Sequence, residues 1–482
     1  MSIISRALTQ FRVVEFRLRG DQQVWLRRLI ILGVIGASLA LPLLPSQRYV
    51  MLIAAPVVGG VIAYVFLRWP VLGLAAIIFG TLLFPTPGIS DQLAGRFNIT
   101  MLLVVALVGL WLFDMLTRQR QFKLVPSRTN LPLLLLILIS GISFINGRLN
   151  YYALAQVAPL TAQIGGVALI LLSVGAYFLM ANQIKTRLWL QRLTWLFVAL
   201  GALYVFSRLT AQTRYNFRHL FQYGSDASLF WLWLACITAS QALINRQLKP
   251  RWRIALGAIF LGAAYISFIR AYTWKSGWIP AAVGLGVIVW MGYPRWRISM
   301  LMLGIGWGLF NIAVVKNVAI GGEDYSILTR VEAWRIVLEI TRVNPFLGLG
   351  PSNYYWYTPL FSILGYYGLN FSSHNNYIDI FAQYGILGLL GFLWFIWEAG
   401  WLGLGLKERV SEGFDKAYVI GALGGLAGTL VAGMLGDWVI PFIYNVGVHG
   451  FRSSVFTWIF LGGLVVLEEM YRIKTDQQNQ DR

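Results

Sequence analysis

Residues 418–435, YVIGALGGLAGTLVAGML, contain no charged side chain over a length close to the roughly 20 residues that a helix needs to cross a bilayer. Comparable apolar runs occupy residues 29–44 and 100–116. Of the 482 residues, 58% are hydrophobic and only 12% are charged, whereas a soluble domain carries about 25% charged residues. This composition excludes a soluble enzyme, a disordered chain and a small disulfide scaffold. It predicts an all-α, polytopic helical membrane protein.

Hydropathy along the chain predicts a series of apolar helices joined mostly by short loops. Several of the apolar runs are short or contain Gly and Pro, which membrane helices tolerate. We therefore expect about 12–14 transmembrane helices and one large outer loop. The predicted spans centre near residues 37, 58, 77, 108, 138, 172, 200, 236, 262, 285, 307, 388, 427 and 460.

The distribution of basic residues predicts the orientation in the membrane. The net charge is +20, from 39 Lys and Arg against 19 Asp and Glu. In a soluble protein this excess would suggest nucleic acid, but in a membrane protein the cytoplasmic loops carry it. With the N-terminus inside, about two thirds of the 39 basic residues fall on the inner side. Both termini are therefore expected in the cytoplasm, and no nucleic-acid partner is expected.

The predicted spans and loops divide the chain into five parts. Residues 1–28 form a basic amphipathic segment on the cytoplasmic surface, followed by transmembrane helices with short loops over 29–316. Residues 317–373 form the large periplasmic or extracellular loop, and loops of this length are usually functional or disordered. Transmembrane helices over 374–470 and a cytoplasmic tail over 471–482 complete the chain.

The large loop contains an amphipathic pattern over 327–342, which predicts a helix lying on the membrane surface. Arg335 can pair with Glu332 or Glu339 at helical spacing. Arg330 has no acidic residue three or four positions away, so it is the better candidate for binding an external anion. The apolar face carries Ile327, Val331, Trp334 and Leu338, and the charged face carries Glu332, Arg335, Glu339 and Arg342.

Histidine is scarce, and His219, His374 and His449 all lie on the predicted outer side. His374 immediately precedes a span, with Ser372 or Ser373 as the expected N-cap. The positive end of the helix dipole would favour its neutral imidazole, which can accept a proton. The alternative is a polar interfacial residue that only caps the helix.

Cationic residues on the predicted outer side are the second sign of chemistry. Arg208, Arg214, Arg270, Lys275 and Arg330 all lie there. An arginine fork matches the oxygens of a phosphate. Arg270 lies at the end of an apolar run, where an intramembrane charge is costly and by default indicates a function. The alternative for each of them is a side chain that reaches lipid headgroups.

Three motifs, in this order and around one large loop, resemble the O-antigen ligase and O-antigen polymerase superfamily. The first is SFIRA at residues 267–271. The second begins at Arg330 and Trp334 and ends in NPFLGLG at residues 344–350. The third is His374-Asn375, followed by GILG at residues 385–388.

The resemblance implies a GT-C-like enzyme of the bacterial inner membrane. It would transfer a glycan from an undecaprenyl-diphosphate carrier to a glycan or lipid acceptor on the outer face, with no cofactor and no required metal. His374 would be catalytic. Arg270 and Arg330 would bind the lipid diphosphate, together with Arg208 and Arg214, which match no motif. Asn375, Trp334 and Lys275 are expected to support the site.

Two other classes of protein remain as alternatives. A solute transporter should place ionisable residues near the membrane midplane, commonly on broken helices and in repeated halves. No internal repeat is evident here, and the charges gather at the outer edge. A non-catalytic scaffold would not need His374 together with two outer arginines. The last outer loop, with Asp437, Trp438, Tyr444 and Asn445, could shape the choice of acceptor or simply form a turn.

Overall fold

A computed structural model describes most of the chain. The chain divides at Arg68, and the described part of the first unit is helix α1, Gly59–Arg68. All the other helices belong to the second unit. The described residues are 59–83, 98–218, 220–221, 227–271, 273–299, 301–306, 309 and 325–480.

In the described residues of the second unit, the regular secondary structure is helical, apart from one isolated bridge between Ile363 and Tyr366. Its first helices are α2 Pro70–Leu83, α3 Ile99–Asp114, α4 Asn130–Asn146, α5 Leu160–Gln183, α6 Arg187–Leu209, α7 Ala211–Asn216, α8 Ser228–Leu243, α9 Pro250–Ala264, α10 Lys275–Gly292 and α11 Pro294–Gly306. They are followed by α12 Tyr325–Thr341, α13 Tyr354–Tyr357, α14 Asn376–Arg409, α15 Phe414–Leu435 and α16 Phe451–Gln480. π-Helical turns extend α3 over Met115–Gln119 and α9 over Tyr265–Arg270.

The prediction of a polytopic all-α membrane protein is confirmed. Within the described residues, seven helices are long and apolar enough to cross a membrane, or up to nine if two interrupted pairs each count as one span. Helices α4 and α8 are apolar but shorter. The predicted span near residue 37 and the centres of those near 58 and 307 lie outside the described residues, so the total of 12–14 stays a prediction.

Small residues allow the central helices to approach closely. A Cβ atom added at Gly284 of α10 would lie 2.8 Å from the Gly424 carbonyl oxygen of α15, and one at Gly424 would lie 2.7 Å from the Gly284 oxygen. In lipid there is no hydrophobic driving force between helices, and the van der Waals packing that this close approach allows stabilises their association instead. The two helices run antiparallel, since the Trp274 and Trp438 rings also meet, 6.1 Å apart.

The candidate residues lie at one end of the bundle, where α14 begins and α15 ends. We call it the His374 end. At the opposite end, Arg187 at the start of α6 binds the Asp415 carboxylate at the start of α15, with 2.7 Å between Nε and Oδ1. The start of α14 and the end of α15 therefore lie at the His374 end, and the starts of α6 and α15 lie at the opposite end.

The NPFLGLG motif docks into a break in α14. Gly385 has φ 68° and ψ −171°, a conformation open to glycine, so the helical hydrogen bonds stop there. The loop replaces them: Ile386 N–H donates to the Pro345 carbonyl at 2.8 Å, and Gly350 N–H donates to the Gln383 carbonyl at 3.0 Å. A Cβ atom at Gly385 would lie 2.1 Å from the Phe346 oxygen. The two glycine motifs therefore fit one another.

Helix α12 bears out the predicted helix in the large loop and adds a second apolar face. Val331 and Leu338 of the predicted face are exposed, and the position of this face on the membrane stays a prediction. A second face packs against the protein, including Leu349 and Tyr354, and was missed because its residues mix with the charged ones in sequence. It consists of Ala333, Ile336, Val337 and Ile340.

Candidate functional site

His374 lies directly before α14 in an uncommon backbone conformation, with φ 51°. The N-cap of α14 is Asn375, whose Oδ1 accepts from the Tyr377 N–H at 2.9 Å. The expectation that Ser372 or Ser373 caps the helix was therefore wrong. His374 precedes the cap instead of sitting in the first turn, so the helix dipole is not what keeps it neutral. Asn375, predicted as a supporting residue, holds the start of the helix next to it.

Burial holds the His374 pKa below its ordinary value of 6.5. The positive charge of Arg330 lowers the pKa further, while the negative charge of Asp437 raises it. The net effect favours the neutral imidazole near pH 7. The predicted protonation state thus has two sources, burial and a neighbouring arginine, that the sequence did not indicate.

The Nδ1 atom of His374 has a defined partner. The Asn445 side-chain nitrogen lies 2.9 Å from it and also donates to the Asp437 carboxylate. An amide NH₂ group has two hydrogens and no lone pair to offer, so Nδ1 accepts one of them. The neutral ring then carries its proton on Nε2. Asn445 and Asp437 therefore set the tautomer of His374.

Asp437 is fully buried, and its carboxylate accepts several hydrogen bonds. Its Oδ2 accepts from the Phe442 N–H at 2.8 Å and from the Val446 N–H at 3.4 Å. Burial raises the pKa of this carboxyl group, and these hydrogen bonds act in the opposite direction. From the sequence, Asp437 and Asn445 could be assigned only to a loop whose role was left open. They lie more than sixty positions after His374, and nothing in the sequence indicates that they contact it.

Arg330 and Trp334 occupy successive turns of α12 beside His374. The Trp334 Nε1–H donates to the Ser373 carbonyl at 2.7 Å, which fixes the residue before His374. Arg330 is half-buried and donates from Nη1 to the Leu435 carbonyl at 3.3 Å. This is its one hydrogen bond among the described residues, so the other N–H groups of the guanidinium could bind an anion. The spacing of the Arg-x-x-x-Trp motif thus has a structural reason.

A buried polar network lies beneath His374. The Asp379 Oδ1 accepts from the Tyr354 hydroxyl at 2.5 Å and from the Ser373 hydroxyl at 2.7 Å. Asn376 donates to the Ile440 carbonyl at 2.7 Å and accepts from the Val439 N–H at 2.8 Å. The network holds the strained turn at His374 and joins it to the loop that carries Asp437 and Asn445.

The structure brings together Arg270, which lies in a motif, and Arg208, which matches none. The exposed Arg270 donates from Nη1 to the Arg208 carbonyl at 2.7 Å. The Arg208 guanidinium donates to the Tyr204 hydroxyl at 2.9 Å and lies 5.1 Å from the centre of that ring. These residues end α6 and the π-helical extension of α9, at the His374 end of the bundle.

The other predicted residues are less closely connected. Lys275 begins α10 and Arg214 lies in the last turn of α7, and both are exposed. Among the described contacts, none joins either side chain to the His374 network. His449 lies in a short 3₁₀ turn before α16, and His219 lies outside the described residues.

A metal centre is not apparent in the described part of the chain. Within those residues, no group of three or more His, Cys, Asp or Glu side chains could hold a metal ion. Metal independence stays a prediction, to be tested by chelation.

Residues 253–393 match the protein-family model Wzy_C, described as O-antigen ligase. The match contains all three sequence motifs, so the resemblance to the O-antigen ligase and polymerase superfamily is confirmed. It supports a multi-pass membrane protein with a ligase- or polymerase-type role on lipid-linked glycans. Arg208, Arg214, Asp437 and Asn445 lie outside the matched segment. No curated protein matches the chain.

Proposed function

We propose that this protein is a GT-C-like glycosyltransferase of the bacterial inner membrane. It moves a glycan from an undecaprenyl-diphosphate carrier to an acceptor hydroxyl on the outer face, without a metal or cofactor. The observation that carries the proposal is His374, kept neutral by burial and within electrostatic reach of Arg330, inside the segment that matches the O-antigen ligase model. The acceptor is a glycan or a lipid.

In this proposal the arginines stabilise the leaving group. The acceptor oxygen forms a bond to sugar C1 as the bond from C1 to the diphosphate oxygen breaks, so negative charge develops on the diphosphate. The hydroxyl proton passes to His374 in its base role, or to the departing diphosphate where His374 only orients the acceptor. Arg330 is placed to meet that charge, and the pair of Arg270 and Arg208 supplies a second cationic group at the same end of the bundle. Arg214 and Lys275 would attract the lipid diphosphate from the surface.

In this proposal His374 contacts the acceptor hydroxyl. The position of its ring proton decides whether it donates to that oxygen or accepts the hydroxyl proton. With Nδ1 accepting from Asn445, Nε2 carries a proton and can orient an oxygen by donating to it. A base role requires the proton to move to Nδ1, and the Asn445 amide must then present its oxygen to the ring. Either role accounts for a neutral histidine at this position.

The break in α14 bears on the rival transporter. Transporters commonly use broken helices whose free backbone groups bind the solute. In this chain the backbone groups on either side of Gly385 are paired with Pro345, Phe346 and Gly350 of the large loop. The break therefore serves to hold the loop, which favours the glycosyltransferase.

The proposal is tested with purified full-length protein in lipid nanodiscs. Carrier diphosphate bearing the glycan is added with an acceptor, and released carrier diphosphate and transferred glycan are measured, with and without a chelator. We expect both products, undiminished by the chelator. Absence of glycan transfer by an intact preparation would contradict the proposal, and a strict need for a divalent metal would contradict its metal independence.

The side of the membrane is tested separately. Tyr367 is 72% exposed in the large loop and lies away from the His374 contacts. In a Cys236→Ser background, we expect Tyr367→Cys to react with an impermeant thiol reagent in intact spheroplasts. Reaction only after the membrane is opened would reverse the predicted orientation.

A further inference from the structure

Three aromatic side chains form a continuous surface at the His374 end, which we call the aromatic platform: Tyr355, Trp356 and Tyr444. The rings of Tyr355 and Tyr444 are stacked, with centres 4.4 Å apart and planes 14° apart. The Trp356 Nε1–H donates to the Tyr444 hydroxyl at 2.8 Å. Each side chain is only partly buried, so part of the surface stays open.

The aromatic platform rests on a rigid base. Beneath it, Phe442 stacks on the fully buried Tyr354 with ring centres 4.8 Å apart. The Tyr355 carbonyl accepts from the Asn370 side chain at 2.7 Å. Because the rings are already held in place, a ligand would lose little free energy in ordering them. The surface is pre-organised without a ligand.

The aromatic platform borders the reacting group. Tyr444 directly precedes Asn445, whose amide nitrogen lies 2.9 Å from His374 Nδ1. Consecutive Cα atoms are about 3.8 Å apart. A ligand on the rings would therefore lie next to the residue that contacts His374.

The charge around the aromatic platform selects the kind of ligand. Residues 343–373 contain no Asp, Glu, Lys or Arg, and neither do residues 438–451. A diphosphate would find no cation in either segment. A pyranose ring is neutral, with an apolar C–H face and polar hydroxyl edges. Tyr and Trp side chains match it, since they combine a large rigid apolar face with a polar group.

We propose that the aromatic platform binds a pyranose ring of the glycan and positions it beside His374. This inference rests on the proposed function and adds a sugar subsite separate from the arginines that hold the diphosphate. The ring can belong to the donor glycan or to a glycan acceptor, which share the same chemistry. The arginines then bind the carrier, and if the ring belongs to the donor, the aromatic platform distinguishes a loaded carrier from a bare one.

The test compares two carriers on the same protein. Affinities are measured in nanodiscs for undecaprenyl diphosphate bearing the glycan of the producing strain and for bare undecaprenyl diphosphate. The variants are Tyr355→Leu and Tyr444→Leu, which remove a ring. Tyr444→Phe keeps the ring, and Tyr366→Leu removes a 63% exposed ring of the same loop outside the aromatic platform. The KM for a free glycan acceptor is measured for every variant.

If the donor sugar binds there, both leucine variants should bind the loaded carrier about three- to tenfold more weakly and the bare carrier as before. If the acceptor sugar binds there, the affinities should stay unchanged and the KM for the acceptor should rise by a similar factor. Tyr366→Leu should stay within about twofold of the wild type in each assay, and Tyr444→Phe, which keeps the ring, should lose less than Tyr444→Leu.

Other outcomes would overturn the inference. Unchanged affinities and unchanged acceptor KM in both leucine variants would remove the sugar subsite while leaving glycan transfer in place. An equal loss for both carriers would assign the rings a structural role. Failure of the proposed function gives a different result, since the wild type would then produce no transferred glycan. Tyr355→Leu keeps the test valid if Tyr444→Leu disturbs Asn445.

Discussion

The segment around His374 and the segment around Arg270 both carry family motifs, but they are held very differently. The first is bound on several sides: Trp334 holds Ser373, Asn376 holds the last loop, and Asn445 holds the imidazole. The second ends a π-helical turn, and its exposed guanidinium bonds only to the carbonyls of Arg208 and Leu209 among the described residues.

The difference suggests two kinds of contribution to one reaction. A residue in contact with reacting atoms must be held close to its productive geometry, and packing and hydrogen bonds around His374 provide this. An exposed arginine can change its rotamer when the carrier arrives, as is suitable for a group that first captures a mobile lipid. We therefore expect substitutions to cost more at the His374 segment.

The largest expected effect is that of His374→Ala. General acid–base catalysis contributes typically about 10²–10⁴-fold, so turnover at saturating loaded carrier should fall by about that factor. Binding of bare carrier should change little. His449→Ala, outside the matched segment, is the control and should have a milder effect. Retained turnover in His374→Ala would remove this residue from the chemistry, and a parallel loss of carrier binding would assign it to the diphosphate site.

The arginines should come next, and they sharpen the comparison. Lysine keeps the charge but loses the planar fork, so Arg330→Lys should lower turnover by about tenfold to a hundredfold. Arg270→Lys should have a smaller effect, because its exposed side chain is less constrained. Wild-type rates in both well-folded variants would exclude the diphosphate role. A larger effect at Arg270 than at Arg330 would contradict the view that the His374 segment is the more constrained of the two.

Gly385→Ala should destabilise the site as a unit. Its Cβ atom would lie 2.1 Å from the Phe346 oxygen, at a φ of 68° that alanine rarely adopts. Backbone strain and overpacking together predict a loss of about 2–4 kcal/mol. Gly391→Ala on the same helix is the control, because its Cβ atom would meet only Ile139 at an ordinary 3.7 Å. Equal melting temperatures of the two variants in nanodiscs would show that the loop does not lock the helix.

The smallest expected effects are shifts in the pH dependence of turnover. Activity needs neutral His374, so it should be lost as the pH falls through a pKa that lies below 6.5. Removing the positive charge in Arg330→Gln should raise that pKa and move the acidic limb to higher pH. Removing the negative charge in Asp437→Asn should move the limb to lower pH. Shifts in the same direction for both variants would show that neither charge acts through His374.

Part of this site could be predicted from the sequence because local signals are strong there. His374, Arg270, Arg330 and Trp334 stand in short motifs, and the pairing of Arg335 with Glu332, at 2.6 Å, follows from helical spacing. The N-cap was predicted wrongly because Asn375 and the serines before it are all good caps. The positive φ of His374, which places it outside the helix, leaves no mark in a single sequence.

The sequence by itself determined the class of this protein: uncharged runs long enough to cross a bilayer can satisfy their backbone only as helices. Only the tertiary structure decided which side chains meet. Asn445 reaches His374 across 71 positions, and the Gly385 break receives a loop nearly forty residues earlier. Helix formation depends on neighbours within four residues, whereas these contacts depend on how the helices pack, and hydropathy carries no information about that.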